Sequence, residues 1–339
     1  MRGHVVCFGE LLLRLGAPGR QLLLQSPSLE VFIGGAEANV AVSLARLGHR
    51  ARMVGLVADN VLGESATGEL RRHGVETTAV GKAAGRMGLY FLTPGAIQRP
   101  SDVLYDRADS AFAREGGGEH DWAALLQGAD WLHVSGVSPA LGQVAADRTL
   151  QAIRAARAAG VQVSFDGNFR PKLWEAWHGD AAGILREIMA EADLMFASHR
   201  DIQVVLGETF DQATSQERFR AGAQAAFAAF PQLQRMAATI RVQHSVDHHA
   251  LSAIDARRDG SSHLTPVYEL ASIVDRIGTG DAFAAGVLHG SMTGMDDADG
   301  LHFGLGAACL KHSLPGDFNL LGADEISAFV AQGGFDVRR

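Results

Sequence analysis

The spacing of apolar residues along the first part of the chain predicts a strand, a helix, a second strand and a second helix, in that order. Residues 5–8 form a short apolar run typical of a buried strand, and residues 36–47 carry apolar positions at helical spacing, with Gly48 just beyond them as a C-terminal cap. A second apolar run at 51–58 and a second helical pattern at 63–73 follow. This order predicts a parallel sheet covered by helices.

Two segments interrupt this order with short alternating strands. Strands are predicted at residues 11–15, 22–24, 88–93 and 102–105, with a Pro-Gly turn inside each pair. We expect them to form a small antiparallel sheet beside the main one, built from segments at about 11–33 and 86–112. Such a sheet would be a lid over a ligand cleft, and a peripheral hairpin without a ligand role is the alternative.

The strand and helix order resumes in the second half of the chain. Strands are predicted at residues 131–134, 161–165, 194–196, 235–242 and 250–254, and helices at 145–159, 212–230, 282–289, 301–312 and 323–331. No internal repeat is present. The length admits one large domain or two smaller ones.

Composition and charge exclude several classes of function. The net charge is −8 and no run of Lys or Arg occurs, so nucleic acid is not an expected partner. The sequence contains no stretch of 18 uninterrupted apolar residues, so no membrane span is predicted. The two cysteines, Cys7 and Cys309, lie in apolar runs, which predicts buried free thiols of a reducing compartment and a cytoplasmic protein.

The stretch with the strongest chemical signal lies at residues 273–286. Two β-branched residues, Ile273 and Val274, predict the end of a strand, a glycine-rich turn follows, and Asp281 opens a helix of small residues. Free backbone N–H groups at such a turn attract anions, above all phosphate, and a carboxylate held there is placed to accept a proton from a hydroxyl. The pattern predicts a phosphoryl-transfer centre, although no P-loop sequence is present.

Alternatives remain open for both acids of this stretch. Asp281 could be an acid in the first helical turn that only offsets the helix dipole. Asp275 could orient the turn or lie near a cation site, and a plain capping or loop role is equally compatible with its position.

Two motifs resemble the signatures of a known family. IVDRIGTGDAFAAG at residues 273–286 resembles the second signature of the ribokinase-like (PfkB) carbohydrate kinases, and GGAEANVAVSLARLG at 34–48 resembles the first. The resemblance covers nearly the whole chain. It implies a single α/β kinase domain over residues 1–339, a ribokinase-like three-layer α/β/α sandwich with a central, mostly parallel sheet and a small β-sheet lid. ATP and Mg²⁺ are the implied cofactors.

Four further stretches resemble the 2-keto-3-deoxygluconate kinases within this family. They are residues 88–111, 133–141, 163–174 and 307–318. The resemblance implies transfer of the γ-phosphoryl group of ATP to the 6-hydroxyl of 2-keto-3-deoxygluconate, giving 2-keto-3-deoxy-6-phosphogluconate. The alternatives are a kinase of 2-keto-3-deoxygalactonate or of a neutral ketose such as fructose, and a catalytically weak sugar-binding protein on the same fold. An oxidoreductase is disfavoured because no G-x-G-x-x-G follows the first strand.

The resemblance also implies roles for individual residues of the reaction centre. Asp281 would be the base, and the backbone N–H groups of Gly278, Thr279 and Gly280 would stabilise the transferring phosphoryl group. Gly34, Gly35 and Asn39 would contact sugar hydroxyls. A tight turn followed by a polar residue on a helix face is the alternative for these three.

Four residues bear on the substrate class. In the resembling kinases the positions of Tyr90, Tyr105, Arg107 and Arg170 surround an acid sugar. A planar guanidinium matches a carboxylate, whereas a neutral sugar needs no paired arginines. A surface ion pair with Asp106 or Asp109 is the alternative for Arg107, and a structural ion pair at a strand end is the alternative for Arg170.

The metal and nucleotide positions depart from the family pattern. Ser198 and Asp201 stand where the family commonly has Asn and Glu near the nucleotide and magnesium; Asp201 would hold Mg²⁺ through water, and Asn168 could assist. Thr239 and Arg241 match a T-[LI]-R stretch of the resembling kinases, which implies a place near the nucleotide phosphates. Gly278 and Gly280 are expected to contact the nucleotide as well. A structural ion pair is the alternative for Arg241.

Two further expectations concern metals and partners. His244, His248 and His249 have mixed spacing in a polar loop, which favours exposed histidines over a metal site. The expected partners are a small sugar acid and ATP. Lid strands with an open face often pair between chains, so a homo-oligomer, a dimer or a higher assembly through the lid, is expected.

Overall fold

The computed structural model describes residues 3–332 and contains two sheets. Their strands are β1 (His4–Phe8), β2 (Leu12–Gly16), β3 (Glu30–Gly34), β4 (Arg50–Ala58), β5 (Glu76–Ala83), β6 (Gly88–Thr93), β7 (Asp102–Asp106), β8 (Trp131–Ser135), β9 (Gln162–Asp166), β10 (Leu194–Phe196), β11 (Arg235–Ser245), β12 (His248–Arg257) and β13 (Tyr268–Ala271).

Helices cover the large sheet on both sides. They are α1 (Ala36–Arg46), α2 (Val61–Arg72), α3 (Ala111–Glu115), α4 (Trp122–Leu125), α5 (Gln143–Ala158), α6 (Pro171–Glu175), α7 (Ala181–Ala190), α8 (His199–Leu206), α9 (Ser215–Ala229), α10 (Thr279–Thr293), α11 (Asp297–Lys311) and α12 (Ala323–Gln332), with a 3₁₀ turn at Pro139–Leu141. No helix among the described residues is long and apolar enough to cross a membrane.

The large sheet has nine strands in the order β13-β12-β11-β10-β9-β8-β1-β4-β5. All pairs from β5 to β11 are parallel, and β12 and β13 add to one edge in antiparallel fashion. The central strands β1 and β8 are buried along their whole length, as strands covered on both faces must be. The predicted mostly parallel sheet, and with it the α/β class, is confirmed.

Helix α10 is fixed tightly because it packs against glycines of α11. A Cβ on Gly286 would meet the backbone of Gly304, and a Cβ on Gly290 would meet that of Gly300. The two helix axes therefore approach more closely than larger side chains would permit. This contact matters for function because α10 begins at the predicted phosphoryl-transfer turn.

The small sheet has the order β3-β2-β6-β7, and its strands come from the two predicted segments at about 11–33 and 86–112. We call this sheet the lid, and its role as a cover over a ligand cleft stays a prediction. The hairpin pairs β2–β3 and β6–β7 are antiparallel, as predicted, but the central pair β2–β6 is parallel. The expectation of an entirely antiparallel lid is wrong in that one pairing. It fails because β2 and β6 come from separate segments, each following a strand of the main sheet, so both run in the same direction.

Two predicted strands are wrong for a common reason. Residues 22–24 form a turn in which Leu24 has φ of 63°, and the lid strand is Glu30–Gly34 instead. Ile273 and Val274 lie in an irregular segment after β13, and Val274 is 60% exposed. In both places apolar side chains stand on the surface of a loop, so apolar character alone suggested a strand.

Candidate active site

The site is centred on the first turn of α10. Gly278 caps this helix with φ of 77°, and a Cβ there would collide with the carbonyl oxygen of Asp317. The first N–H groups of a helix lack intrahelical acceptors and carry the positive end of the helix dipole. The predicted anion-binding residues Gly278, Thr279 and Gly280 and the predicted base Asp281 therefore share one turn.

Asp281 is held from the opposite side by α1. Asn39 Nδ2 donates to Asp281 Oδ2 at 2.7 Å, and the buried Asn39 Oδ1 has no hydrogen-bond partner among residues 3–332. Burial raises the pKa of Asp281 to about 7; the hydrogen bond from Asn39 opposes the rise, and the charges of Glu37 and Asp317 add to it. A carboxyl group with a pKa near neutrality is suited to take a proton from a hydroxyl.

Steric contacts explain why the two residues before α1 are glycines. Gly35 has φ of 140°, and a Cβ there would collide with the carbonyl oxygen of Glu10. A Cβ on Gly34 would meet the carboxylate of Asp317. The turn between β3 and α1 must therefore be narrow whatever it binds, and contact of Gly34 and Gly35 with sugar hydroxyls stays a prediction.

The lid tyrosines lie side by side on the inner face of the small sheet. Tyr90 on β6 is opposite Tyr105 on β7 in the strand register. Tyr90 is buried, and its hydroxyl donates to Asp317 Oδ2 at 2.7 Å. Tyr105 is partly buried and packs, together with Ile277, against the apolar cluster around Tyr90. Their face of the lid points towards the turn that precedes α10.

Arg107 has a buried partner at the end of β1. Its guanidinium is 6% exposed, and Nε donates to Glu10 Oε2 at 2.6 Å; Glu10 also accepts from the Ser110 hydroxyl. The alternative of a surface ion pair with Asp106 or Asp109 does not describe this geometry. Contact of Arg107 with a sugar carboxylate stays a prediction and would use its remaining N–H groups.

Arg170 stands exposed at the start of α6, close to the carboxylates of the site. Its Nη1 donates to the carbonyl of Phe169 at 3.0 Å. Burial raises the pKa of Asp166 well above its usual range, the charges of Asp281 and Asp201 raise it further, and the positive charge of Arg170 opposes the rise. Asp166, at the end of β9, was not among the predicted site residues, although it lies in the stretch 163–174 that carries the family resemblance.

The three carboxylates Asp166, Asp201 and Asp281 together fit a hydrated magnesium ion. The charges of Asp281 and Asp201 raise the pKa of Asp166, an effect that a bound cation would oppose. Asp201 already accepts from Ser198 N at 2.7 Å and Ser198 Oγ at 2.8 Å in a capping box. They do not converge closely enough to ligate one ion directly. Mg²⁺ commonly keeps several of its waters, so contact through water suits this set.

A cavity of about 410 Å³ opens beside the start of α10. Of the predicted nucleotide residues it brings together Ser198, Thr239, Arg241 and Gly280, while Gly278 lies just behind Thr279. Arg200 and Arg241 supply positive charge to its wall, and Phe219, Leu251 and Ala308 supply apolar surface. The cavity wall therefore combines positive charge with apolar surface, and a nucleotide requires both.

Sequence reasoning missed a buried ionic network behind the turn. Arg14 of the lid strand β2 is 2% exposed; its Nη2 lies 2.7 Å from Asp275 Oδ2 and its Nε 3.1 Å from Asp317 Oδ1. Asp275 also accepts from Ile277 N and Gly316 N, both at 3.0 Å. Asp275 thus orients the turn, one of the roles left open for it. No local pattern could reveal its partner, 261 residues away in the chain.

A second cavity, of about 510 Å³, lies between the lid and the turn. Arg14, Phe32 and Val103 of the lid and Asp275 and Arg276 of the turn are among its lining residues. None of the residues predicted to bind the sugar lines either cavity. Among the predicted sugar residues, Asn39 contacts Asp281, and Tyr90 and Tyr105 lie on the inner face of the lid.

Comparison with known proteins assigns the family. Residues 2–320 match the pfkB family carbohydrate kinase model. The chain is 31% identical to 2-dehydro-3-deoxygalactonokinase of Haloferax volcanii over 100% of both chains, and 27% identical to 2-dehydro-3-deoxygluconokinase of Bacillus subtilis over 98% of this chain and 96% of that one.

A solved structure gives the same result for the fold. The crystal structure of 2-dehydro-3-deoxygluconokinase from Thermotoga maritima superposes with a TM-score of 0.91 at 36% identity, covering 97% of this chain and 100% of that one. The three-layer fold and the resemblance inferred from residues 34–48 and 273–286 are confirmed. The chain belongs to the pfkB family of carbohydrate kinases, and it is a phosphotransferase.

Proposed function

We propose that this protein is an ATP-dependent kinase of a sugar acid, with 2-keto-3-deoxygluconate as its substrate and 2-keto-3-deoxy-6-phosphogluconate as its product. The observation that carries the proposal is the position of Asp281, a carboxyl group with a pKa of about 7 on the first turn of α10 beside the 410 Å³ cavity. The relatives named for 2-dehydro-3-deoxygluconate support the choice of sugar.

The chemistry follows from the turn. The 6-hydroxyl of the sugar gives its proton to Asp281 as its oxygen attacks the γ-phosphorus, and the bond from that phosphorus to the bridging oxygen of ATP breaks to release ADP. Backbone N–H groups at the start of α10 stabilise the negative charge on the transferring group. When bound, Mg²⁺ would neutralise phosphate charge, and Asp166 and Asp201 are the residues that would hold it through water.

The arginines support an anionic sugar rather than a neutral one. Arg170 is exposed next to the carboxylates around Asp281, and Arg107 lies at the base of the lid. In our proposal Arg170 binds the sugar carboxylate, while Arg107 contributes through the N–H groups that Glu10 leaves free. Asn39 Oδ1, buried without a partner among the described residues, would accept a hydrogen bond from a sugar hydroxyl.

A kinase of 2-keto-3-deoxygalactonate is the second candidate. The Haloferax volcanii relative of that name is 31% identical over the full length of both chains. The two sugar acids differ at one stereocentre, so the same arginines would serve both. A neutral ketose or a catalytically weak binding protein is disfavoured by the arginines in the first case and by Asp281 in the second.

The proposed assembly is a homo-oligomer formed through the outer face of the lid. In the strand register Leu15, Val31, Phe91 and Leu104 share this face, and Val31 and Leu104 are 58% and 60% exposed. An open apolar sheet face of this kind favours contact with another chain. A cytoplasmic location accords with the two buried free thiols, Cys7 and Cys309.

One assay tests the proposed reaction. ADP release with Mg-ATP is measured for 2-keto-3-deoxygluconate, 2-keto-3-deoxygalactonate, fructose and ribose. We expect kcat/KM for the first to exceed that for the neutral sugars by at least about a hundredfold, because loss of a charge-assisted contact costs roughly 1.5–3 kcal/mol for each arginine. Equal values for the acid and neutral sugars would contradict the sugar-acid assignment, and a higher value for the galacto epimer would select the second candidate.

A further inference from the structure

Three possible metal ligands meet at the edge of the large sheet. Ligand atoms of His244, His248 and Glu269 all lie within 4.8 Å of one another. His248 Nε2 is 3.1 Å and His244 Nε2 is 3.7 Å from Glu269 Oε2. The spacing favours exposed histidines over a metal site here, and the structure brings His244 and His248 together with a carboxylate. The expectation of an exposed side chain is wrong for His249, which is buried.

The sheet register explains how these residues meet. Glu269 of β13 is opposite Ala250 of β12, so its side chain is on the same face as that of His248, two residues before Ala250. A β-bulge between Gln243 and Ser245 interrupts the pairing of β11 with β12. Bulges re-aim side chains, and here His244 is turned to the ring of His248, with 4.7 Å between ring centroids.

The neighbouring His249 shows that this placement is selective. It follows His248 directly and so lies on the other face of β12, where it is fully buried. Only His244 and His248 are left with Glu269 on the open face, with side-chain exposures of 45%, 45% and 61%. A solvated ion could reach all three ligand atoms without movement of the backbone.

We propose that His244, His248 and Glu269 form a binding site for a transition-metal dication, with Zn²⁺ as the ion that fits best. Two imidazole nitrogens and one carboxylate oxygen are a typical protein donor set for Zn²⁺, and water completes the tetrahedron at an open site. A simple ion pair would need one imidazole at Glu269. The metal explains the second imidazole, that of His244, whose Nε2 lies 3.7 Å from the same carboxylate oxygen and beyond hydrogen-bond distance.

The site has a structural consequence for the kinase. Occupancy ties the tip of the β11–β12 hairpin to the edge strand β13. Two residues of the nucleotide cavity, Thr239 and Arg241, stand on β11 just before His244. At the hairpin turn, Asp247 accepts a hydrogen bond from Ile273 N at 3.0 Å and pairs with Arg20 of the lid at 2.8 Å. The ion would therefore stiffen a corner that contacts both the cavity wall and the lid.

Calorimetric titration of the full chain with Zn²⁺ alone, in excess Mg²⁺ to occupy the carboxylates near Asp281, tests the site. We expect one Zn²⁺ per chain. His244→Gln, His248→Gln and Glu269→Gln should each weaken binding by at least about tenfold, since loss of even an outer-shell partner costs about 10–100-fold. The matched control is Glu69→Gln, which removes the carboxylate of another His–Glu pair, 3.1 Å from His73, and should leave binding unchanged.

Two spectroscopic and thermal readouts accompany the titration. Co²⁺ should give tetrahedral d–d absorption in the wild-type protein and not in Glu269→Gln. Zn²⁺ should raise the melting temperature of the wild-type protein by a few degrees and leave that of Glu269→Gln unchanged. Wild-type affinity equal to that of the three variants, or an equal loss in Glu69→Gln, would overturn the proposal. No sugar or ATP is present, so either result leaves the proposed kinase function untouched.

Discussion

Asp281 takes its chemical character from its surroundings. The ordinary pKa of an aspartic acid side chain is 3.8, whereas burial raises the pKa of Asp281 to about 7. The hydrogen bond from Asn39 works in the opposite direction and keeps the ionised form within reach at neutral pH. One residue of α1 therefore adjusts the basicity of a residue on α10.

Asp281→Asn tests the role of the carboxylate as the base. The amide keeps the size of the side chain but cannot accept the proton, so kcat should fall by about 10²–10⁴-fold with little change in the dissociation constant of the sugar. Steady-state kinetics and calorimetric sugar binding measure the two quantities. A variant with wild-type turnover would leave Asp281 as a dipole-offsetting acid of the helix.

The pH profile tests the raised pKa of Asp281. As the base must be ionised, kcat/KM should fall about tenfold per pH unit below about pH 7. Asn39→Ala removes the hydrogen bond that favours the ionised form, so this acid limb should move upward by roughly one pH unit. An acid limb unchanged in Asn39→Ala would contradict the coupling between the two side chains.

The same shift has a definite sign for stability. The pKa of Asp281 in the folded protein lies above its ordinary value of 3.8, so the folded protein holds this proton more tightly than the unfolded chain does. The group favours folding at low pH, and that contribution is lost as the pH rises from 3.8 to about 7. Asp281 is therefore least favourable for folding at the pH values at which its ionised form can act as the base.

At the scale of elements, the lid is joined to the phosphoryl-transfer turn by buried charge. Arg14 on β2 bridges Asp275 and Asp317, and its guanidinium also lies over the ring of Phe32 on β3, 4.4 Å from the centroid. Tyr90 on β6 donates to the same Asp317. The position of the lid strands thus fixes the position of the turn that precedes α10.

Arg14→Met measures how much this network contributes. It leaves two carboxylates buried without their cation, which should lower the free energy of unfolding by about 3–5 kcal/mol. Arg20→Met is the matched control, because the Arg20–Asp247 pair has a similar distance of 2.8 Å but Arg20 is 57% exposed. That variant should lose less than about 1 kcal/mol in urea denaturation. Equal losses of unfolding free energy in the two variants would mean that the buried ion pairs of Arg14 stabilise the protein no more than the exposed pair of Arg20.

Gly278→Ala tests the turn itself. The added Cβ would be strained at φ of 77° and would collide with the Asp317 carbonyl, so the N–H groups must shift and kcat should fall by about 10²-fold. Gly294→Ala is the matched control at the other end of α10, with φ of 78° and open space around its Cβ position. It should lose some stability and keep wild-type turnover. Equal kcat values in both variants would mean that the conformation of the turn at Gly278 does not contribute to catalysis.

At the scale of the whole molecule, sequence patterns predicted the interior better than the edges. Central parallel strands such as β1 and β8 are buried on both faces and therefore have mostly apolar sequences. The edge strands β5 and β13 are half exposed, lack continuous apolar runs, and were not predicted. Residues 22–24 and 273–274 were assigned to strands because apolar loop residues imitate the same pattern.

The candidate site divides in the same way. Asp281 and the glycines around it belong to one contiguous motif, so local chemistry was enough to find them. Arg14, Asp166 and Asp317 acquire their roles from partners distant in the chain, and a single sequence holds no signal for those contacts. The same limit explains Arg107, whose observed partner Glu10 lies 97 residues away.

The parallel pairing at the centre of the lid has a consequence for the order of folding. Leu12 pairs with Gly88 there, and the intervening chain includes β4 and β5 of the large sheet. Closing so long a loop is entropically costly, and long-range parallel pairing is slow. We expect pulse-labelled amide hydrogens of β1 and β4 to become protected before those of β2 and β6. The central strands of the large sheet would then form first, and the lid strands that carry Arg14 and Tyr90 would pair later.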